Sequence, residues 1–276
     1  MTVGVTRENI AIVLQRPRYP ENIGSAARAM CNMGFHRLIV VDPGIWDEER
    51  IRRLATHAAG AVVDGIERFD VLPDALAPFG HVVGTTARLG GQRPVLKSPE
   101  VLAGKLIDLS RNNPVAIVFG PEDRGLTNED LKYCHQLVNI PATGFTSLNL
   151  SQAVMVICYC LATATRTDPP AFTPRLAKRI ELDRMYKELT EALVRIEYVQ
   201  PDNPDYWMSR LRRFFARLPL RAGEVGIIRG ICRQVLWYGE RRYEEGLSGK
   251  KKAESSGLND GRWTMDDRCD RTREDN

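Results

Sequence analysis

Residues 115–126 read Val115-Ala-Ile-Val-Phe-Gly-Pro-Glu-Asp-Arg-Gly-Leu126. An unbroken apolar run, then Gly-Pro, then three charges and a glycine, describes a strand buried on both faces that ends in a tight polar loop. Four runs of the same kind flank it: IAIVLQ (10–15), RLIVVDP (37–43), HVVGTTA (81–87) and LVNIPA (137–142). Between them lie helical patterns at 23–33, closed by Gly34, at 47–59, and at 127–134, where Thr127 and Asp130 make a capping box. A helix from Leu148 to Ala164, apolar on both faces, is expected to be buried. This alternation predicts an α/β domain with a parallel, Rossmann-like sheet, whose ligands bind at the carboxyl ends of the strands.

The chain, at 276 residues, has room for one large domain and a smaller appendage. The sheet domain is expected over 1–166 and a proline-rich linker over 167–175. Amphipathic helices follow at 176–199, 205–217 and 221–243, making a helical unit over 176–245, and the polar tail 246–276 is expected to be disordered. Residues 1–170 hold 17 Lys/Arg and 17 Asp/Glu, whereas 171–245 hold 15 and 11, so the excess positive charge lies in the helical unit and suggests a polyanionic partner. No run reaches the ~20 apolar residues of a membrane span, and no secretory leader is recognisable at the N-terminus. The six cysteines form no CxxC pair, which predicts reduced thiols in a cytoplasmic protein. The four histidines (36, 57, 81, 135) are isolated, so no metal site is expected.

Three segments carry chemistry. After the first strand, Asn22 and Gly24 stand at a helix start, where free backbone N–H groups favour an anion, and Arg28 follows inside the helix. Phe119–Leu126 suits a loop that passes closely around a ligand. Ile140-Pro-Ala-Thr-Gly-Phe-Thr-Ser-Leu-Asn-Leu-Ser151 places Ser147 and Asn149 at the start of the apolar helix, where helix capping alone does not account for so polar a loop.

These three segments, quoted as Asn22-Ile-Gly-Ser-Ala-Ala-Arg28, Phe119-Gly-Pro-Glu-Asp-Arg-Gly-Leu126 and Thr146-Ser-Leu-Asn-Leu-Ser151, resemble the three motifs of the SPOUT superfamily, in its TrmH/TrmJ branch of RNA ribose 2′-O-methyltransferases. The stretches Asp202-Asn-Pro, Met208-Ser-Arg-Leu-Arg-Arg-Phe-Phe and Gly226-Ile-Ile-Arg-Gly-Ile are similar to the helical extension of that branch. The resemblance implies a C-terminal trefoil knot in the sheet domain, a homodimer whose active sites are completed at the subunit interface, and S-adenosylmethionine as methyl donor. It carries the donor contacts onto Thr85, Thr86, Ala87, Gly120, Ile140, Ser147, Leu148 and Asn149. It also implies tRNA as substrate, with the ribose at position 32 of the anticodon loop as target.

Methyl transfer needs an in-line approach of the 2′-oxygen and removal of its proton. Catalytic candidates are Asn22, Arg28, Glu122, Ser147 and Asn149. Arginine side chains are poor bases at neutral pH, so Arg28 reads better as a phosphate clamp than as a proton acceptor. Ser147 or Asn149 would orient the hydroxyl, and Glu122 is a second base candidate. For RNA, Arg28, Arg124, Arg210, Arg212, Arg213 and Arg217 are the expected contacts. Trp207, Leu211, Phe214 and Leu218, at helical spacing, read as the core of the helical unit. Competing readings are ribose methylation of ribosomal RNA and an RNA-binding protein with a silent site. A dinucleotide-dependent oxidoreductase would need a G-x-G-x-x-G after the first strand, and none is present.

Overall fold

All six residues of Ile10–Gln15 are buried, and their side chains alternate between two apolar layers. Ile10, Ile12 and Leu14 face a layer with Ile23, Met30 and Val154, while Ala11 and Val13 face one with Leu72, Leu76 and Phe79. A strand clothed on both sides belongs at the centre of a parallel sheet. The computed structural model describes residues 2–87, 95–143, 148–168, 171–200, 202–215 and 218–255. In chain order its strands are β1 (Val3–Gly4), β2 (Ile10–Gln15), β3 (Arg37–Val41), β4 (Glu67–Phe69), β5 (His81–Thr85), β6 (Val95–Leu96), β7 (Val115–Phe119), β8 (Gln136–Val138) and β9 (Thr165–Arg166). Its α-helices are α1 (Pro20–Asn32), α2 (Glu48–Ala55), α3 (Gly60–Asp64), α4 (Leu72–Leu76), α5 (Pro99–Leu109), α6 (Asn128–Leu131), α7 (Leu150–Thr163), α8 (Arg179–Arg195), α9 (Pro204–Phe215) and α10 (Ala222–Ser255).

Seven strands form one sheet in the order β4-β3-β2-β7-β5-β8-β6, every neighbouring pair parallel. β8 therefore enters between β5 and β6, two strands that precede it in the chain. β1 and β9 pair antiparallel beside this sheet. Helices α1, α5 and α7 cover one face, with α1 packed between α2 and α7.

Several boundaries differ from the sequence reading. α1 starts at Pro20, whose fixed φ suits the first helical position, so Asn22 lies inside the first turn. Gly24 is not part of an anion site: a Cβ there would stand 2.1 Å from the Ile51 carbonyl oxygen, and its smallness lets α1 and α2 approach. Gly34 closes the helix with φ +77 as expected. The pattern at 47–59 breaks at Thr56, which adopts φ +61. α7 is buried along one side only, and Tyr159 is 56% exposed on the other.

The proline-rich stretch is laid along the body. Asn112 Nδ2 donates to the Thr173 carbonyl at 2.8 Å, and Leu176 N–H donates to Asn113 Oδ1 at 2.7 Å. Beyond it, Leu182, Met185, Tyr186, Met208 and Val225 form a second core, with Leu211 and Phe215 packed on it. Trp207, Phe214 and Leu218 are not in that core, because the inward stripe of α9 runs Met208, Leu211, Phe215. α10 runs from Ala222 to Ser255, past the end at 243 that the sequence pattern gives its last helix. Residues 256–276 lie outside the described residues.

Candidate active site

The loops after β2 and β7 and the start of α7 converge on one side chain, that of Asn22. Its Nδ2 donates to Glu122 Oε1 at 2.6 Å, and its Oδ1 accepts from Asn149 Nδ2 at 3.1 Å. Asn149 caps α7, its Oδ1 accepting from Ser151 N–H at 2.9 Å and from Ser151 Oγ at 2.7 Å. The second Glu122 oxygen accepts from the Arg18 N–H at 3.0 Å. Every donor in this relay points towards the Glu122 carboxylate, which sets the orientation of both asparagine amides. With both oxygens engaged, Glu122 is built to hold Asn22 in place. Glu21, the neighbouring acid, is held below the usual carboxylate pKa first by its own backbone N–H and then by Arg50, to which it is committed at 2.8 Å.

The loop that carries Glu122 is fixed by glycines. A Cβ on Gly120 would lie 2.3 Å from the backbone of Gly125 and Leu126, and Gly125 itself has φ +68. Just beyond, Asp130 is buried and accepts from Thr127 N–H (2.8 Å), Thr127 Oγ1 (2.7 Å), Gln15 Nε2 (3.3 Å) and Arg16 Nη2, tying the loop to the end of β2. Beside it, Thr85 Oγ1 donates to the Val118 carbonyl at 3.1 Å, and Thr86 N–H to Val138 at 2.9 Å. Asn139, which the sequence reading did not single out, donates from Nδ2 to the Thr86 carbonyl at 2.9 Å. Ile140 and Leu148 are half-buried, and Ala87 is exposed. The carboxyl ends of β2, β5, β7 and β8 thus bring loop backbone and the polar groups of Thr85, Thr86 and Asn139 together beside the Asn22 junction.

The family model of the SpoU rRNA methylases matches residues 9–159, and that of the C-terminal domain of the tRNA methyltransferase TrmJ matches residues 180–247. The chain belongs to the SpoU methylase family. It is 35% identical over 236 residues to the tRNA (cytidine/uridine-2′-O-)-methyltransferase TrmJ of Cronobacter sakazakii, covering 83% of this chain and 96% of that protein. It is 35% identical over 260 residues to the tRNA (cytidine/uridine/adenosine-2′-O-)-methyltransferase TrmJ of Pseudomonas aeruginosa, covering 88% and 98%. The solved structure of TrmJ from Z. mobilis superposes with a TM-score of 0.71 at 30% identity, over 82% of this chain and 98% of that one. Membership in the family makes the chain an RNA methyltransferase of the TrmJ type.

In this SpoU methylase Arg28 lies deeper in α1 than the sequence suggested, is exposed, and among the described residues makes no hydrogen bond or ion pair. Arg124 is exposed, its Nε 3.8 Å from Asp123. The arginines of α9 divide. Arg210 lies 5.8 and 5.7 Å from the Tyr206 and Trp207 ring centroids. Arg212 instead turns inward, 3.3 Å from Asp183 and 4.5 Å over the Tyr186 ring. Arg213 Nε donates to the Ser209 carbonyl at 3.3 Å. Ser147 and Arg217 lie outside the described residues. At the opposite, amino ends of the strands, a cavity of ≈ 130 Å³ separates the sheet from α8 and α9, lined by His81, His135, Tyr133, Arg179 and Tyr186. Among the described residues no three His, Cys, Asp or Glu side chains cluster as metal ligands, and no helix is long and apolar enough to cross a membrane.

Proposed function

We propose that the chain transfers the methyl group of S-adenosylmethionine to the 2′-hydroxyl of a ribose in tRNA, with C or U at position 32 of the anticodon loop as target. The observation that carries this reading is the Asn22 junction, which brings the three family motifs to one point beside the carboxyl ends of β5, β7 and β8. The site there fits the methyl donor. It is lined by backbone of the strand ends, and Gly120, where a Cβ could not stand, lets the Phe119–Leu126 loop fold tightly beside Thr85 and Thr86. Thr85, Thr86, Ala87, Gly120, Ile140, Ser147, Leu148 and Asn149 would hold the donor. When bound, it supplies an electrophilic methyl on a sulfonium.

The chain's own residues would do the rest. Glu122 holds Asn22, and Asn22 with Asn149, and with Ser147, orients the 2′-hydroxyl for in-line approach. Arg28 clamps the adjacent phosphate and balances charge developing on the oxygen, while water takes the proton. Residues 176–245 are the RNA-binding extension to a 1–166 methyltransferase domain, joined by 167–175. Arg124, Arg210, Arg213 and Arg217 would meet tRNA phosphates or bases. The position of β8 between two earlier strands supports a trefoil knot. The uncovered side of α7, with Tyr159 exposed and adjoining Asn149, supports a homodimer that completes each site. We assign the enzyme to the cytoplasm, where its substrate is.

The test is incubation with methyl-labelled S-adenosylmethionine and unmodified total tRNA or ribosomal RNA, followed by mapping of the modified nucleotide. Label at the ribose of tRNA position 32 is the expected result. Label confined to ribosomal RNA, or to a base, overturns the reading.

A further inference from the structure

At the mouth of the Asn22 junction one carboxylate stands between two arginines. Asp123 Oδ2 accepts from Arg18 Nη1 at 2.8 Å, and its Oδ1 lies 3.8 Å from Arg124 Nε. All three side chains are open to water: Arg18 is 52% exposed, Asp123 40% and Arg124 63%. The main chain of Arg18 is not free in the same way. Its N–H is part of the junction, donating to Glu122 Oε2 at 3.0 Å. The preceding Pro17 accepts from the Gly44 N–H at 3.0 Å, which pins the loop to the end of β3. Arg18 thus has a fixed backbone beside the reacting groups and a guanidinium that only a surface ion pair restrains.

Such a pair holds weakly, because both ions keep much of their water. A phosphate can accept two parallel hydrogen bonds from a guanidinium, where Asp123 accepts one from Arg18. Arg124, 3.8 Å from the same carboxylate, is a second exposed cation that a bound anion could meet, while Glu122 beside them is already committed to the Arg18 N–H and to Asn22. The arrangement has the chemistry of a phosphate site occupied by the chain's own acid.

We propose that Asp123 acts as a resident phosphate mimic. It holds Arg18 and Arg124 in place while the site is empty, and a backbone phosphate of the RNA beside the target ribose displaces it and takes over Arg18. This rests on the RNA methyltransferase reading and adds Arg18 and Asp123 to its substrate contacts. Arg18 is then a positioning residue with two arms. Its N–H sets Glu122, and its guanidinium fixes the RNA backbone relative to Asn22. Asp123 opposes binding, and it recaptures Arg18 when the methylated RNA leaves.

The opposite signs expected at the two positions make the test sharp. Affinity for unmodified tRNA is measured across a salt series, with KM for tRNA from methyl transfer, in the full chain and its variants. Arg18→Met keeps the backbone N–H on Glu122 and removes only the charged fork. It should weaken tRNA binding about five- to tenfold and lower the salt slope by about 1. Arg18→Lys should restore most of the slope but not the full affinity. Asp123→Asn should tighten binding by about two- to fivefold, the range of an exposed ion pair, and should have little effect once Arg18 is Met. Unchanged binding and slope in Arg18→Met, or weaker or unchanged binding in Asp123→Asn, overturns the proposal. A wild-type chain that binds tRNA but methylates none of it refutes the functional reading instead, and the binding comparison still decides this one.

Discussion

Asn22 and Glu122, 100 residues apart in sequence, meet at 2.6 Å, the carboxamide donating to the carboxylate. The contact fixes which end of the Asn22 amide faces the reaction. The nitrogen is spent on Glu122, so the oxygen is turned towards Asn149. Glu122→Gln replaces an acceptor that satisfies two donors with a group that can satisfy one and sets an NH₂ against the other. The resulting misplacement of Asn22 should lower the single-turnover methyl-transfer rate by about a hundredfold, the scale of a 1 Å error in a catalytic group. A Gln variant with the wild-type rate would remove Glu122 from the mechanism.

Gly120→Ala should fail for a different reason. The added methyl would sit 2.3 Å from the backbone of Gly125 and Leu126, with no flexible side chain to give way. The Phe119–Leu126 loop must then open, and loss of stability of about 2–3 kcal/mol is expected, as for overpacking in a rigid site. Calorimetric titration should show donor binding lost in any fraction that still folds. Normal donor affinity in a folded Gly120→Ala variant would place the donor site elsewhere.

The central sheet and the three motif loops were legible in the sequence because their signals are local. Runs such as IAIVLQ carry no polar alternate, and Thr127 with Asp130 forms the capping box that the spacing predicts. α5 went unread although Ser98-Pro99-Glu100 is a helix start, and Ser98 does cap it. The strand before it gives no signal, since β6 is only Val95–Leu96. Asn139 was invisible for another reason: its partner Thr86 lies 53 residues away, and nothing in its neighbourhood sets it apart from a loop polar residue. On α9, two stripes at helical spacing share Leu211. Which one is buried depends on where α8 and α10 lie, and that selects Met208 and Phe215 over Trp207 and Phe214.

His81 should give the fold a measurable pH dependence. Burial, with Lys105 adding repulsion, holds its imidazole pKa down at about 4, and its ring stacks on His135 at 5.3 Å. The unfolded chain takes up the proton near pH 6.5, well before the folded one does. Stability contributed by the neutral ring is therefore complete above that value and is lost as pH falls from about 6.5 towards 4, by on the order of 2 kcal/mol. Thermal melts of His81→Gln should show a shallower fall in Tm across this window than the wild type. An identical slope would mean that other groups carry the acid sensitivity.

The arginines of α9 should not respond alike to charge reversal. Arg212 is bound to Asp183, which also holds the buried Arg179, and it covers Tyr186. Arg212→Glu should thus lower Tm and weaken tRNA binding together, through the packing of α8 against α9. Among the described residues Arg210 contacts only exposed rings of its own helix, so Arg210→Glu should leave Tm within about 1 °C, as surface changes usually do. It should weaken tRNA binding and reduce its salt dependence. Unchanged binding in a stable Arg210→Glu chain would take this face of the helical unit out of the RNA contact.

Arg28 is the last group whose role the geometry narrows. It projects from α1 with no partner among the described residues, although the neighbouring Glu21 and Asn22 are both committed. An exposed arginine on the helix that carries Asn22, without a partner among the described residues, suits an incoming anion. Arg28→Ala should lower kcat/KM by two orders of magnitude or more, about the loss seen when one oxyanion-stabilising donor is removed. Arg28→Lys keeps the charge without the planar fork and should recover part of this, mainly in KM. The pH profile of kcat separates clamp from base. A clamp leaves the profile of Arg28→Lys parallel to the wild type at reduced height, whereas a base moves its rising limb. Near-wild-type turnover in Arg28→Lys with an unchanged profile would leave neither bidentate clamping nor proton removal to this arginine.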